Sequence, residues 1–271
     1  MNATRGESPR FAIGVDVGVV NDRTAIAVVE ILTMEILKAE REKLSEEIAS
    51  AIETFKYILH IRYLDPFPGV STTQVTQKVA DVYNDELVLT VFPRTKVIDQ
   101  VQITGYDLKL RPYLAVDGSG LGRGVVDNLK NSGASLVGVS ITAGRNESPG
   151  KGGYRNVPKA HLIQALQEGL YDGWLKIAEG LEHGQTLKDE LMAFRPSSSM
   201  MNINQNYGGV IHKRETEHDD LVLASGLACW VAVWGRRRGQ RRPMSGSYTI
   251  NWETGALLPD DEIDPYIHDR Q

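Results

Sequence analysis

Cysteine is almost absent from this chain: its 271 residues include one, Cys229. That excludes a disulfide framework and makes a reducing compartment the natural setting. Cys229 stands in the apolar run ASGLACWVAVW, where a thiol serves as a small buried hydrophobe. No uninterrupted apolar run reaches the roughly 18 residues of a membrane span, and MNATRGESPR lacks the apolar core of a signal peptide. A soluble, cytoplasmic protein is expected. An excess of positive charge is also missing, since 30 Lys and Arg face 35 Asp and Glu, for a net charge of -5. A protein coated in positive charge is thereby excluded, but nucleic-acid binding is not. An acidic site would account for several of the negatives, and local basic patches could do the docking. A nucleotide-gripping G-x-x-x-x-G-K-[ST] loop is lacking too: GRNESPGKGG has the wrong spacing, and neither Ser nor Thr follows Lys151. The chain is not an ATP-driven motor by itself. Nor does any Ser or Cys nucleophile motif come with a matching His.

What is present suffices for one large core, with 41% hydrophobic residues. Residues 11–18 and TAIAVVEIL (24–32) read as two buried strands joined by the turn VVNDR. From 34 to 55, Ile36, Leu44, Ile48, Ile52 and Phe55 recur at helical spacing amid Glu and Lys, which predicts an amphipathic helix. KYILHIRYL (56–64) reads as a third strand that DPFPG ends, and STTQVTQKVADVYND (71–85) as a helix. Residues 86–112 could form an extra hairpin. YLAVDGS reads as a fourth strand, 121–132 as a helix, SLVGVSIT as a fifth strand and GRNESPGKGGYRN as a flexible loop. PKAHLIQALQEGL, with proline in its first turn, and TLKDELMAFR are further helices. SSMMNINQ is a candidate late strand, and 218–235 is a final helix, apolar on nearly every side. Antiparallel strands followed by strands alternating with helices predict a mixed α/β sheet covered on both faces. The expected organisation is an N-terminal extension (1–10), one domain (11–238) and an irregular tail (239–271).

Three acidic positions lie at the ends of buried elements. Asp16 sits among Ile13, Val15, Val17 and Val19, where a buried strand would favour an apolar group. Asp117 ends the strand YLAV before a glycine-rich turn into a helix, and Asp219 and Asp220 open the last helix. Taken singly, Asp117 reads as a turn residue and the pair as a helix cap. Taken together they read as a metal site. Hard cations such as Mg²⁺ take oxygen ligands, and two ions about 3.5 to 4 Å apart stabilise an in-line phosphoryl displacement.

GVDVGVVNDRTAIAVVE, AVDGSGLGRGVVDNL, NVPKAHLIQALQEGL with TLKDELMAF, and EHDDLVLASGLACW resemble, in order and spacing, the nuclease domain of phage terminase large subunits. The resemblance spans most of residues 11–235. It implies the ribonuclease H-like fold shared with RuvC-type resolvases, a mixed five-stranded sheet with helices on both faces, plus insertions. The helix at 34–55 would be one of these. It further implies a two-metal (Mg²⁺ or Mn²⁺) endonuclease that cuts double-stranded viral DNA during genome packaging in a bacterial host. Asp16, Asp117 and one or both of Asp219 and Asp220 would be the metal ligands, with Asp220 favoured because it heads the apolar LVLA run. The implied partners are duplex DNA, a packaging ATPase, a small terminase subunit and the portal. The ATPase domain that precedes such nucleases is not in this chain.

Two basic clusters are candidate DNA contacts as well as candidate solvated surface: Arg145, Lys151, Arg155 and Lys159, and Arg236, Arg237, Arg238, Arg241 and Arg242 after the last helix. Other readings compete. GVDVG with a later glycine-rich strand end also resembles the phosphate-gripping turns of metabolite kinases and actin-like ATPases, whose two large lobes need a longer chain. GSGLGRG suggests a dinucleotide site, but Arg123 stands where G-x-G-x-x-G needs glycine. A RuvC-like junction resolvase and a catalytically silent DNA-binding or assembly module complete the set.

Overall fold

The computed structural model describes residues 8–18, 23–33, 46–68, 70–98, 101–193, 219–240, 250–251 and 256–257. β1 (Phe11–Asp16), β2 (Thr24–Leu32), α1 (Glu46–Phe55) and β3 (Ile58–Phe67) come first, followed by α2 (Thr72–Asn84) and the hairpin β4 (Thr90–Ile98) with β5 (Val101–Leu110). Then follow β6 (Tyr113–Asp117), α3 (Gly122–Asn131), β7 (Val137–Thr142), β8 (Ser148–Pro149), β9 (Arg155–Pro158) and α4 (Lys159–Asp172). β10 (Leu175–Ile177), α5 (Gly184–Ala193), α6 (Asp220–Gln240) and the short pair β11 (Ile250–Asn251) and β12 (Ala256–Leu257) complete the described elements.

One sheet of eight strands, in the order β10-β3-β2-β1-β6-β7-β9-β8, organises the chain. β1, β2 and β3 pair antiparallel, and β1, β6, β7 and β9 pair parallel. The five central strands β3, β2, β1, β6 and β7 make the expected mixed sheet, and three short strands extend it at the edges. Side chains alternate across the pleat. Ala12, Ala25, Ala27 and Ala115 face a core shared with α4, α5 and α6. Ile13, Val15, Ile26 and Val116 face a second core with α2 and α3. Helices thus cover both faces.

α2 starts where Ser71 and Gln74 form a reciprocal capping box, as the Ser/Thr-rich start of that segment predicts. The residue 86–112 region is the hairpin, forming its own two-stranded sheet. Several expectations need correction. β3 does not stop at DPFPG but runs to Phe67, with Pro66 opposite Ala25. β10 reaches only Leu59 to Ile61, so Pro66 lies on an open edge where its missing N–H costs no ladder bond. GRNESPGKGGYRN is not a free loop, since it folds back as β8 onto the start of β9. β9 and β10 are too short for periodicity to show them. Pro158 ends β9, and Lys159 opens α4. The last helix continues to Gln240, so Arg236, Arg237 and Arg238 belong to its final turns. Their side chains, Arg241 and Arg242, the VVND part of the first turn, residues 34–45 of the first helix, the candidate strand SSMMNINQ and most of the tail lie outside the described residues. Among the described residues no helix is long and apolar enough to cross a membrane.

Charge enters the sheet at Glu30, which is 4% exposed. Its Oε1 accepts from Arg10 Nε at 2.7 Å and its Oε2 from Arg62 Nε at 2.6 Å. Burial opposes ionisation, but the two guanidiniums outweigh it and hold the carboxyl below its ordinary range. Because the folded pKa lies below the unfolded one, this triad stabilises above the unfolded value, and the gain is lost as pH falls through the folded value. Glu30→Gln is expected to cost about 3 kcal/mol or more at neutral pH. Urea denaturation of both proteins should show the difference shrinking steadily below about pH 4.

Candidate functional site

α6 approaches β1 so closely that a Cβ on Gly14 would lie 2.0 Å from the Ala224 carbonyl oxygen and 2.3 Å from the Ala228 nitrogen. Farther along the helix, Gly235 lies against the ring of Tyr113 at the start of β6. The helix therefore runs antiparallel to β1 and β6, and its N-terminus lies at their C-terminal ends. Those ends are Asp16 and Asp117. Val15 pairs with Val116, so the next residue of each strand stands beside its neighbour, on the face that Ala12 and Ala115 turn to α6. Asp16, Asp117, Asp219 and Asp220 thus gather at one corner, each less than a tenth exposed.

The glycine-rich turn after Asp117 has a packing cause. A Cβ on Gly122 would stand 2.0 Å from the Asp117 carbonyl oxygen, so α3 starts hard against the strand end. Asp117 Oδ1 accepts the Ser119 N–H at 3.0 Å, so it forms the turn contact expected of an Asp in this position. Burial nevertheless raises its carboxyl above the ordinary range, against the hydrogen bonds from Ser119 and the Ile141 backbone. Asp16 is raised further, first by burial and then by the charges of Asp117, Asp220 and Asp219, with Lys159 pulling the other way.

The cap reading of Asp219 and Asp220 is displaced by a residue that sequence reasoning missed. The Asp219 carbonyl accepts the Leu223 N–H and begins the helix. The N–H groups of Leu221 and Val222, which a capping side chain would normally take, both donate to Glu190 Oε2 at 3.1 Å. Glu190 comes from α5 and brings a fifth carboxyl to the corner. Burial lifts it to about 7, with Asp220 and Asp219 adding to the rise and the two backbone donors opposing it. The Asp219 carboxylate instead meets Lys159 Nζ. Lys159, expected among the DNA contacts, is therefore part of the acidic corner.

Among the described residues, no three of His, Cys, Asp and Glu stand so as to clasp a metal ion. The four aspartates were expected to be metal ligands; here Lys159 engages Asp219 and the Ser119 turn engages Asp117. The chemistry of the donor set fits a hard cation all the same: every group is a carboxylate, from four different elements, and their mutual repulsion is visible in Asp16. Of the other basic residues, Arg155 is half-buried at the start of β9, while Arg145 and Lys151 are exposed in the segment before it.

No family model matches the sequence, and no curated protein matches it. Among solved structures, the fold is similar to the large terminase nuclease from thermophilic phage G20c, with 15% identity, 81% of each chain covered and a TM-score of 0.43. It is also similar to the P22 large terminase nuclease domain, with 11% identity, 86% of this chain and 85% of that one covered, and a TM-score of 0.42.

Gly14→Ala should force α6 off β1 and destabilise the fold by about 1–3 kcal/mol, measured by chemical denaturation. Glu190→Ala orphans two N–H groups at a buried helix start and should cost about 1–3 kcal/mol. Amide hydrogen exchange should then speed up at Leu221 and Val222 before it does so in the middle of α6.

Proposed function

We propose that this chain is a metal-dependent endonuclease acting on double-stranded DNA, the nuclease part of a phage genome-packaging terminase. The observation that carries the reading is the acidic corner. Four aspartates from β1, β6 and the head of α6 share a buried site, where they repel one another. Burying that much negative charge has a cost that a bound cation would offset. The sequence resemblance supplies the biological setting, and a mixed sheet with helices on both faces is in keeping with it.

Asp16, Asp117 and Asp220 would hold Mg²⁺ or Mn²⁺, with Asp219 as a further ligand. A divalent cation bound there would supply Lewis-acid stabilisation to a phosphodiester undergoing displacement. The chain's own residues do the rest. Glu190 fixes the head of α6, so that the Asp pair stands over β1 and β6. The α6 dipole favours the ionised carboxylates at its N-terminus. Lys159 offsets one negative charge and leaves the site acidic. A packaging ATPase, a small terminase subunit and the portal are the partners this role requires.

One observation favours a second reading. The Lys159–Asp219 ion pair is also what a silent DNA-binding module would use to settle its own acidic residues. Asp117→Asn separates the two. Asparagine still accepts the Ser119 N–H, so the turn survives, while the charge a hard cation needs is gone. Wild-type protein should nick and linearise supercoiled plasmid with Mg²⁺ or Mn²⁺ and not with EDTA. The variant should fold, bind duplex at least as well and lose most cleavage, about 100-fold or more. Equal cleavage by both proteins, or cutting that persists in EDTA, would remove the carboxylate site from the mechanism.

A further inference from the structure

Tyr154, just before β9, lies flat against the backbone of two neighbouring strands. A Cβ on Gly118 would stand 2.2 Å from its ring, and one on Gly138 2.7 Å. Gly118 is the residue after Asp117, so this ring adjoins the acidic corner from the other face of the sheet. Two cations from α3 converge on it. Lys130 Nζ lies 5.2 Å and Arg123 Cζ 5.6 Å from the ring centroid, both within cation–π reach. They are seven residues apart, two turns on one helix face and about 10 Å along the axis. Lys151 lies in the adjoining turn, where its carbonyl accepts the Tyr154 N–H. All three cations are exposed, and Asp127, between the first two on α3, is the acidic residue whose charge reaches the ring.

An aromatic ring holds cations without neutralising them. A carboxylate partner would cancel their charge, whereas Tyr154 orders Arg123 and Lys130 and leaves that charge directed at solvent. Among the described residues, no ion pair within 4 Å engages Arg123, Lys130 or Lys151. Two like charges gathered on one ring repel each other, and a polyanion relieves that repulsion.

We infer that Arg123, Lys130 and Lys151, ordered around Tyr154, form the surface that grips the phosphate backbone of duplex DNA beside the site of cutting. The choice of duplex over any other polyanion rests on the nuclease reading and on Gly118. The patch and the carboxylate corner adjoin the same strand end, at Gly118 and Asp117, from opposite faces of the sheet, so a duplex lying across that end would meet both. The turn GSGLGRG then has a use that its poor match to a dinucleotide motif concealed. Gly122 lets α3 start against the strand, and Arg123 stands where it can meet a phosphate.

The test is duplex binding by fluorescence anisotropy in EDTA, where no cleavage occurs, across about 50–200 mM salt. Arg123→Gln/Lys130→Gln is compared with Lys109→Gln/Lys188→Gln, which removes the same charge from two exposed lysines elsewhere. The first double variant should lose about tenfold or more in affinity at the low-salt end, and its slope of log affinity against log salt should be shallower by about two. The control should bind as wild type does. Equal losses in both double variants, or no loss in the first, would overturn the assignment. Plasmid cleavage by wild type is read separately. If wild type binds through this patch and never cuts, the surface stands and the nuclease reading falls.

Discussion

The structure depends on how closely one helix can lie on one strand. Gly14 leaves room for the backbone of α6 at Ala224 and Ala228, and alanines on both sides of the contact keep the separation small. That seat is a packing constraint before it is a functional one, since it removes a long apolar helix from water against β1, β2 and β6. It also decides where the helix begins. With the register between α6 and β1 set by Gly14, the Asp219–Asp220 pair stands at the ends of β1 and β6. Gly226, pressed against Leu162, extends the same close fit to α4, whose first residue is Lys159.

The acidic corner works against folding. Burial raises Asp16 and Asp117, and the charges of the other aspartates raise Asp16 further, so at neutral pH their ionised forms cost stability. Three features limit the cost: the positive end of the α6 dipole, the ion pair from Lys159, and the N–H groups that Glu190 and Asp117 accept. Each engages a carboxyl without removing it from the corner. The sheet and its two cores keep the carboxylates gathered against that cost.

Much of this was legible in the sequence where charge breaks a hydrophobic pattern. Asp16 interrupts a run of valines and isoleucines, Asp117 follows YLAV, and the Asp pair heads an apolar helix; each break marks the end of a buried element. Glu190 left no such mark. TLKDELMA is an ordinary amphipathic helix, and the partners of Glu190 are backbone N–H groups that any sequence would supply. Lys159 was legible as a cation but not by its partner, because Asp219 is sixty residues away. Arg123 and Lys130 carry no mark of a shared site in the sequence, and only the ring of Tyr154, just before β9, gathers them. β9 and β10 were missed for a simpler reason: three or four residues cannot show a period of two.

Pro66, which interrupts no ladder, also determines what the sheet does next to other molecules. Beyond the reach of β10, β3 presents an open margin that would otherwise accept a foreign strand, and a proline there offers no N–H to receive one. The opposite margin is β8, two residues long and itself ending in Pro149. With a proline at each margin, strand addition to the sheet is disfavoured.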